Sequence, residues 1–231
     1  MECNKSYKWD GGSMNGNNDE ILKRLEKLSS TLIADSMKFE NVMNHKLKPV
    51  NFQKPLVGQA RTVSLYPGDN LYLHLGIYEG KPGEILIVEG KDSTTSAYMG
   101  NLMAAAAEKL GIKGIIIDGL IRDKKELENM DIQIYANGFI PKGPRKNGPG
   151  AFDIPIQCGG VLVNPYDFVV ADEDGIAIIP YKKAEAFIVK AEEKLIYEEK
   201  RLKTIMSFNL DQGDDKSTIE PSWLRENIEN Q

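Results

Sequence analysis

The sequence predicts an α/β fold, and three observations support that prediction. Two short runs, EILIVE and GIIID, are almost continuously apolar, which is typical of strands buried on both faces. Between them lies MAAAAEKLG, an alanine-rich segment whose final residue, Gly111, fits a helix C-cap. Strand–helix–strand units of this length indicate parallel pairing in an α/β core.

The segments before these strands predict two helices and a strand. Residues 1–19 are rich in Gly and Asn without periodicity, so they are predicted to form a disordered tail. DEILKRLEKL has apolar residues at helical spacing, and a second short helix follows through Ile33 and Met37, with SST between them as candidate caps. LVGQARTVSLYPG alternates and ends in Pro-Gly, which predicts a strand closed by a turn. For NLYLHLGIYEG, periodicity does not choose between helix and strand.

The second half predicts more strands and a long helix. DIQIYANG is a predicted strand, followed by the Pro/Gly-rich loop FIPKGPRKNGPGAFD. IPIQCGGVLV, DFVVADEDG and IAIIP are predicted to be short antiparallel strands joined by turns. A charged amphipathic helix is predicted from Tyr181 to about Met206. We therefore expect one domain over residues 20–206 and an acidic, mobile tail over residues 207–231.

Composition limits the classes of function. The 231 residues carry a net charge of -5 with a pI near 5.3, which does not favour nucleic-acid binding. No apolar run approaches the roughly 20 residues needed to cross a bilayer. Cys3 and Cys158 lie far apart and no signal peptide is visible, so a cytoplasmic protein without disulfides is expected. With two His and two Cys, any metal site should use oxygen ligands, which suits Mg²⁺ or Mn²⁺.

The predicted start of the alanine-rich helix is a candidate anion site. YMGNLM follows a strand and a Ser/Thr-rich loop, and such a helix start exposes backbone N–H groups and the positive end of the helix dipole. Gly100 would let a ligand approach the backbone closely. The alternative is a tight helix–strand packing contact, and spacing alone does not choose. No Walker or G-x-G-x-x-G motif supports a nucleotide site.

The pair Arg122–Asp123, in DGLIRDKKEL, ends the next predicted strand. Asp123 and Glu126 have the spacing of a capping box, which offers a purely structural interpretation. The alternative is that adjacent cationic and anionic groups hold an anionic substrate and a metal ion. Ligands gather at the carboxyl ends of parallel strands, so we expect this pair to lie near Gly100.

Other polar residues favour simpler interpretations. ADEDGIA lacks the spacing of a calcium loop, and its Asp-Gly predicts a hairpin turn. The basic loop Lys142–Lys146 could attract an anion, but a solvated loop is favoured. His74, in an apolar segment, is interpreted as a core histidine, and Cys158 as a packing residue.

Several segments together resemble one family. LSSTLIADSM, PGEILIVEG, MGNLMAAAAEKLGIKGIIIDGLIRD, GPGAFDIPIQCGG and VVADEDGIAIIP occur in this order, within residues 21–180. They resemble the class II pyruvate aldolases that act on 4-hydroxy-4-methyl-2-oxoglutarate and 4-carboxy-4-hydroxy-2-oxoadipate, a family that also contains the regulator of ribonuclease activity A. The resemblance implies a fold similar to the swivelling β/β/α domain of phosphohistidine enzymes, with a mixed sheet or barrel core. It also implies homotrimers or homohexamers with sites between subunits.

The resemblance also implies roles for particular residues. The substrate-binding residues would be Gly100, Asn101, Leu102, Met103 and Arg122, with Arg122 also catalytic and Asp123 the ligand of Mg²⁺ or Mn²⁺. Asn101 departs from the family, whose members commonly carry Asp or Glu there. In aldolase members a carboxylate from the C-terminal helix of a neighbouring subunit contributes to the outer metal shell, and the candidates in this sequence are Glu192, Glu193, Glu198 and Glu199.

The implied function is metal-dependent retro-aldol cleavage of a small 4-hydroxy-2-oxo acid to pyruvate. Decarboxylation of oxaloacetate passes through the same pyruvate enolate and is expected as a second activity. The alternative is a non-catalytic, protein-binding regulator of a ribonuclease, which Asn101 favours. The amphipathic helix after IAIIP favours the aldolase, and neither nucleic acid nor a membrane is an expected partner.

Overall fold

A computed structural model describes residues 16–91 and 93–230 of the chain. The helices are α1 (Gly16–Leu25), α2 (Ser30–Ser36), α3 (Leu71–Glu79), α4 (Asn101–Lys109), α5 (Lys124–Leu127), α6 (Ala184–Ser207) and α7 (Trp223–Glu229). The strands are β1 (Lys48–Asn51), β2 (Leu56–Leu65), β3 (Ile85–Glu89), β4 (Gly114–Ile121), β5 (Gln133–Phe139), β6 (Gly150–Phe152), β7 (Ile156–Cys158), β8 (Val161–Val163), β9 (Phe168–Ala171) and β10 (Ile176–Ile179). Of the predicted tail 1–19, residues 1–15 lie outside the described part, and α1 begins at Gly16.

The main sheet is mixed, with strand order β1-β5-β4-β3-β2-β9-β10, and β6 pairs with β2 off this path. Strands β2, β3, β4 and β5 pair in parallel, which confirms the parallel α/β core. The pair β9–β10 and the separate pair β7–β8 are antiparallel, as predicted for the second half of the chain. The strands β1 and β6 also pair antiparallel, but neither was predicted, and β6 lies at the end of the segment predicted to be a Pro/Gly-rich loop.

Apolar layers cover both faces of the sheet. On β4, Ile117 belongs to a buried cluster with α3 and α4, whereas its neighbour Ile116 belongs to a second cluster with β7, β8 and β9. This alternation follows from the period of two along a strand, and burial on both faces explains the continuous apolar run. A third cluster packs α1, α2 and α6 against β9 and β10.

The ambiguous segment NLYLHLGIYEG forms the helix α3. Its first turn is fixed by Asp69, whose carboxylate accepts a hydrogen bond from the Leu71 amide at 2.9 Å. Its buried face packs on β2, and a Cβ on Gly76 would lie 2.9 Å from a methyl carbon of Val63. Tertiary packing therefore selects the helix, where periodicity alone could not.

The predicted acidic tail contains helical structure. Within residues 207–230 the structure has 3₁₀ turns at Leu210–Gln212 and Lys216–Thr218, followed by α7. The Arg201 guanidinium on α6 donates to the Ile219 carbonyl at 2.7 Å, so this segment contacts α6. The sequence did not predict these turns. None of the helices in the described part combines the length and apolar character that crossing a bilayer requires.

Candidate active site at the carboxyl ends of β3 and β4

The parallel pairing of β3 and β4 brings the two predicted site segments together. The Tyr98 amide donates to the Leu120 carbonyl at 2.8 Å, and the Arg122 amide donates to the Met99 carbonyl at 3.0 Å. These two bonds hold the chain entering α4 against the chain leaving β4. The expectation that Arg122–Asp123 lies beside Gly100 is therefore confirmed.

The Asp123 side chain does not cap α5. Its backbone has φ 65° and ψ 46°, in the left-handed region that Asp tolerates better than most residues, and it makes no side-chain cap bond to α5. Instead its Oδ2 accepts a hydrogen bond from the Asn101 amide at 3.0 Å. The capping-box interpretation is therefore wrong, because the backbone conformation turns the carboxylate back toward the start of α4. A carboxylate is stabilised there by the positive end of the helix dipole.

Position 100 requires glycine because polar side chains approach its backbone closely, and not because of its backbone conformation. Its φ of -138° and ψ of -172° are extended and open to any residue. A Cβ at this position, however, would lie 2.3 Å from Asp123 Oδ2 and 3.0 Å from Arg122 Nε. The absence of a side chain thus lets the polar groups of both residues lie against the backbone at the start of α4.

The helix start leaves backbone donors free. The N-cap residue of α4 is Gly100, which has no side chain to cap the helix, and the first intrahelical bond runs from the Ala104 amide to the Gly100 carbonyl at 3.2 Å. With the Asn101 amide bonded to Asp123, the amides of Leu102 and Met103 have no intrahelical acceptor. The Leu102 side chain itself is 82% exposed. Two N–H groups therefore remain for an anion.

Arg122 offers the strongest donors of the site. Its side chain is 46% exposed, and Nε lies 3.8 Å from Asp123 Oδ2, a distance that makes an ion pair but no hydrogen bond. Within residues 16–91 and 93–230, the structure shows no side-chain hydrogen bond from this guanidinium. Its planar donors are therefore available to a carboxylate or an enolate oxygen.

All six predicted site residues line one cavity of about 320 Å³. Other segments complete the lining with polar residues: Asn70 before α3, His74 on α3 and Lys146 in the Pro/Gly-rich loop. Neither Asn70 nor His74 was predicted to lie there, and for Lys146 a solvated loop was favoured over the anion-attracting alternative. His74 is half-buried in this lining and is not a core residue, so that interpretation was wrong. Burial, and then the charge of Lys146, lower the pKa of His74.

The donor set for a metal is sparse. The described residues contain no group of three or more His, Cys, Asp and Glu side chains arranged to hold a metal. Asp123 offers its second carboxylate oxygen, and the side-chain amide of Asn101 lies in the same cavity. One carboxylate, with water and substrate oxygens completing the shell, fits Mg²⁺ or Mn²⁺ and does not fit a zinc site.

A second cavity, of about 870 Å³, lies near Asp118 and Glu89. The Asp118 carboxylate already accepts bonds from the Asn137 side chain and the Gly159 amide, both at 2.7 Å. Glu89 accepts from the Ser64 hydroxyl at 2.5 Å. Because these carboxylates are engaged, the smaller cavity, where donors remain free, is the stronger candidate site.

The remaining candidates have structural roles. Asp172 accepts hydrogen bonds from the Ser30 amide, the Ser30 hydroxyl and the Asp174 amide, and ADEDGIA forms the β9–β10 hairpin as predicted. Cys158 is buried within the second core cluster, and burial raises the pKa of its thiol. The packing interpretation of Cys158 is confirmed.

Comparisons with known proteins point to one family. The family model described as "RraA-like: Aldolase/RraA" matches residues 30–178. A protein of Halalkalibacterium halodurans named "Putative 4-hydroxy-4-methyl-2-oxoglutarate aldolase" is 32% identical over 186 residues, covering 80% of this chain and 89% of that relative. A Thermus thermophilus protein named "4-hydroxy-4-methyl-2-oxoglutarate aldolase" is 34% identical over 123 residues, covering 53% of this chain and 74% of that relative.

Two solved structures are also similar. Streptomyces coelicolor RraAS2, described as an unusual member of the RNase ES inhibitor RraA protein family, has 26% identity and a TM-score of 0.72, covering 80% of this chain and 96% of that one. The RNA-processing inhibitor RraA from Thermus thermophilus has 30% identity and a TM-score of 0.61, covering 65% of this chain and 92% of that one. The mixed α/β fold is therefore shared, and the chain belongs to the RraA-like family of aldolases and RraA proteins.

Proposed function

We propose that this protein is a divalent-metal-dependent aldolase that cleaves a 4-hydroxy-2-oxo acid to pyruvate. The observation that carries the proposal is the meeting of Arg122, Asp123 and the free amides of α4 in one cavity. Cationic donors, a carboxylate and a helix start are the groups that a metal-bound 2-oxo acid needs. The names of the aldolase relatives support the same reaction.

The protein's own groups bind the pyruvoyl end of the substrate. The amides of Leu102 and Met103 donate to its carboxylate, where the dipole of α4 adds to the attraction. Arg122 donates to the oxygen on which negative charge develops as the C3–C4 bond breaks. A guanidinium suits this task better than an ammonium, because its planar donors engage two oxygens at once.

Asp123 is the residue that would hold the metal. Its bond from the Asn101 amide and the close approach of Gly100 fix one carboxylate oxygen and leave the other for a cation. When bound, Mg²⁺ or Mn²⁺ supplies Lewis-acid stabilisation of the developing oxyanion. Asn101 contributes an amide where a carboxylate would add charge, so a weak metal site is expected.

Decarboxylation of oxaloacetate is proposed as a second activity of the same site. Loss of CO₂ from C4 leaves negative charge on the same 2-oxo oxygen as aldol cleavage does. Arg122 and the amides of α4 therefore stabilise both reactions by the same preorganised electrostatics, which typically supply several kcal/mol.

A protein-binding regulator remains the second candidate function. Two similar solved structures are RraA proteins described as inhibitors of RNA processing or of an RNase. Asn101, which brings no charge to the metal site, favours this candidate. It predicts a stable ribonuclease complex, retained in Asp123→Ala, and no metal-dependent turnover.

The test measures pyruvate release from oxaloacetate and from 4-hydroxy-4-methyl-2-oxoglutarate with Mg²⁺, with Mn²⁺ and with EDTA. We expect turnover that is lost in EDTA and in Asp123→Ala. Asp174→Ala is the matched control, since Asp174 is an exposed acid in the β9–β10 hairpin, and a protein-free sample measures spontaneous decay of oxaloacetate. Turnover that survives both EDTA and Asp123→Ala contradicts the proposal.

Several finer expectations stay predictions. We propose a cytoplasmic homotrimer or homohexamer in which α6 of a neighbouring subunit supplies a carboxylate to the site. Glu192 is the weakest candidate, because Arg24 of the same chain engages both of its oxygens at 2.8 Å. Nucleic acid and membrane are not proposed as partners. The likeness to the swivelling β/β/α domain of phosphohistidine enzymes also stays a prediction.

A further inference from the structure

His74 lies in the candidate site although it comes from a segment remote from Arg122 and Asp123 in the sequence. It lines the same cavity as these two residues and as the start of α4. No side-chain hydrogen bond of its imidazole occurs among the described residues. The ring is therefore half-buried, faces a cavity and keeps its nitrogen lone pair available.

Asn70 fixes the position of His74. It precedes α3, is 2% exposed, and its Nδ2 donates to the Tyr98 carbonyl at 2.8 Å. The His74 amide donates to the Asn70 carbonyl at 3.1 Å, so the two residues stand one helical turn apart on one face. Asn70 thus ties the first turn of α3 to the chain that enters α4. Its Oδ1 is buried without a partner in the described part of the chain, as expected beside a polar ligand.

We propose that His74 is the base that accepts the proton of the C4 hydroxyl during aldol cleavage. This inference rests on the proposed function, since it concerns the same site and the same substrate. Aldol cleavage needs a proton acceptor, and the other charged residues of the site do not provide one. Arg122 is always protonated, and the Asp123 carboxylate is committed to the α4 amide and the metal.

The step balances with groups that the site contains. His74 takes the hydroxyl proton, and the O–H electron pair becomes the second bond of the new C4 carbonyl. The C3–C4 bond breaks, its pair forms the C2–C3 double bond, and the former C2 carbonyl pair remains on oxygen beside Arg122. A proton returned to C3 gives pyruvate and restores neutral His74. For 4-hydroxy-4-methyl-2-oxoglutarate the second product is also pyruvate.

The charge state of His74 suits this role. Burial, and then the positive charge of Lys146, lower the pKa of His74 below its usual range, which favours the neutral imidazole that a base requires. The other charged groups around the cavity are Arg122 and Asp123, and the hydroxyl of Tyr98 is engaged by a backbone carbonyl at 2.6 Å. Cleavage should therefore fall at low pH, as His74 becomes protonated. Lys146→Gln should move that fall to higher pH.

Decarboxylation of oxaloacetate distinguishes a base from a merely structural residue. Oxaloacetate has no C4 hydroxyl, so its C3–C4 bond breaks without a proton acceptor, yet it needs the same metal, Arg122 and helix start. His74→Gln should lower kcat for 4-hydroxy-4-methyl-2-oxoglutarate about 10²- to 10⁴-fold. The ratio of cleavage to decarboxylation should fall at least about 100-fold. His45→Gln is the matched control, because His45 is the other histidine, is exposed and lies outside the cavity.

The experiment measures both activities against pH in the parent, His74→Gln, His45→Gln and Lys146→Gln, with the histidine pKa values followed by NMR. We expect the cleavage rate to fall at low pH with the pKa that NMR gives for His74. In Lys146→Gln the pH of that fall and the pKa of His74 should rise together. Parental cleavage in His74→Gln, or an equal loss of both activities, overturns it. If the parent protein neither cleaves 4-hydroxy-4-methyl-2-oxoglutarate nor decarboxylates oxaloacetate, the proposed function itself is refuted. That result is seen without any variant, so it differs from a failure of the His74 inference alone.

Discussion

Replacing Gly100 with alanine would place a methyl carbon between the polar side chains of the site. The added Cβ would lie 2.3 Å from Asp123 Oδ2, 3.0 Å from Arg122 Nε and 3.1 Å from Arg122 Cγ. The first of these distances is far inside van der Waals contact, so the carboxylate has to move. The bond from the Asn101 amide to Asp123, now 3.0 Å long, is then lost.

The size of the effect follows from that bond. A hydrogen bond to a charged group contributes about 1.5–3 kcal/mol, and losing it from the working arrangement lowers kcat/KM by roughly 10- to 150-fold. Overpacking costs about 1–3 kcal/mol of unfolding free energy, partly offset by the smaller entropy of the unfolded alanine variant. Gly100→Ala should therefore stay folded while losing most of its turnover.

The control is Gly175→Ala. A Cβ on Gly175 meets no atom within 4 Å, and this glycine lies in the β9–β10 hairpin, away from the site. Both variants are compared by urea unfolding and by pyruvate release from oxaloacetate with Mg²⁺. Parental kcat/KM in Gly100→Ala would refute the argument that close approach of Asp123 to the α4 backbone organises the site.

Two further predictions concern the metal and the core. Asn101→Asp adds a carboxylate beside Asp123, so the variant should bind Mn²⁺ at least about tenfold more tightly, as measured by calorimetry. An unchanged affinity would place residue 101 outside the metal shell. Arg61→Met leaves Glu84, whose side chain is 4% exposed, without its cation, so urea unfolding should show a loss of about 3–5 kcal/mol. The control Arg24→Met removes a more exposed pair with Glu192 and should cost at most about 1 kcal/mol; equal losses would contradict the burial argument.

The part of the site that sequence could predict is local in the chain. Two apolar runs and an alanine-rich segment predict the β3–α4–β4 unit. Parallel pairing of β3 and β4 then brings Gly100 close to Arg122–Asp123. The rest depends on contacts between remote segments. Lys146 reaches the cavity in a loop whose Lys142 carbonyl accepts from the Ala97 amide at 2.8 Å. No periodicity in the sequence encodes that contact.

Two interpretations that the sequence allowed, the Asp123 capping box and the core histidine, fail for a common reason. The spacing of Asp123 and Glu126 fits a capping box, but the left-handed backbone of Asp123 directs its carboxylate elsewhere. His74 looked like a core residue because its neighbours are apolar, yet α3 turns Leu73 and Ile77 to the core and His74 to the cavity. In both cases residue type and spacing were read correctly, and side-chain direction, set by backbone and packing, decided the role.

The measurement that tests the central claim most directly is a titration of Mn²⁺, followed by electron paramagnetic resonance, with and without oxalate. Oxalate imitates the planar dianion of the pyruvate enolate, so it should tighten Mn²⁺ binding through Arg122 and the α4 amides. We predict one site per chain in the parent, enhanced by oxalate, and loss of that site in Asp123→Asn. Equal Mn²⁺ and oxalate binding by the parent and Asp123→Asn would contradict the assignment of this cavity as a metal and 2-oxo acid site.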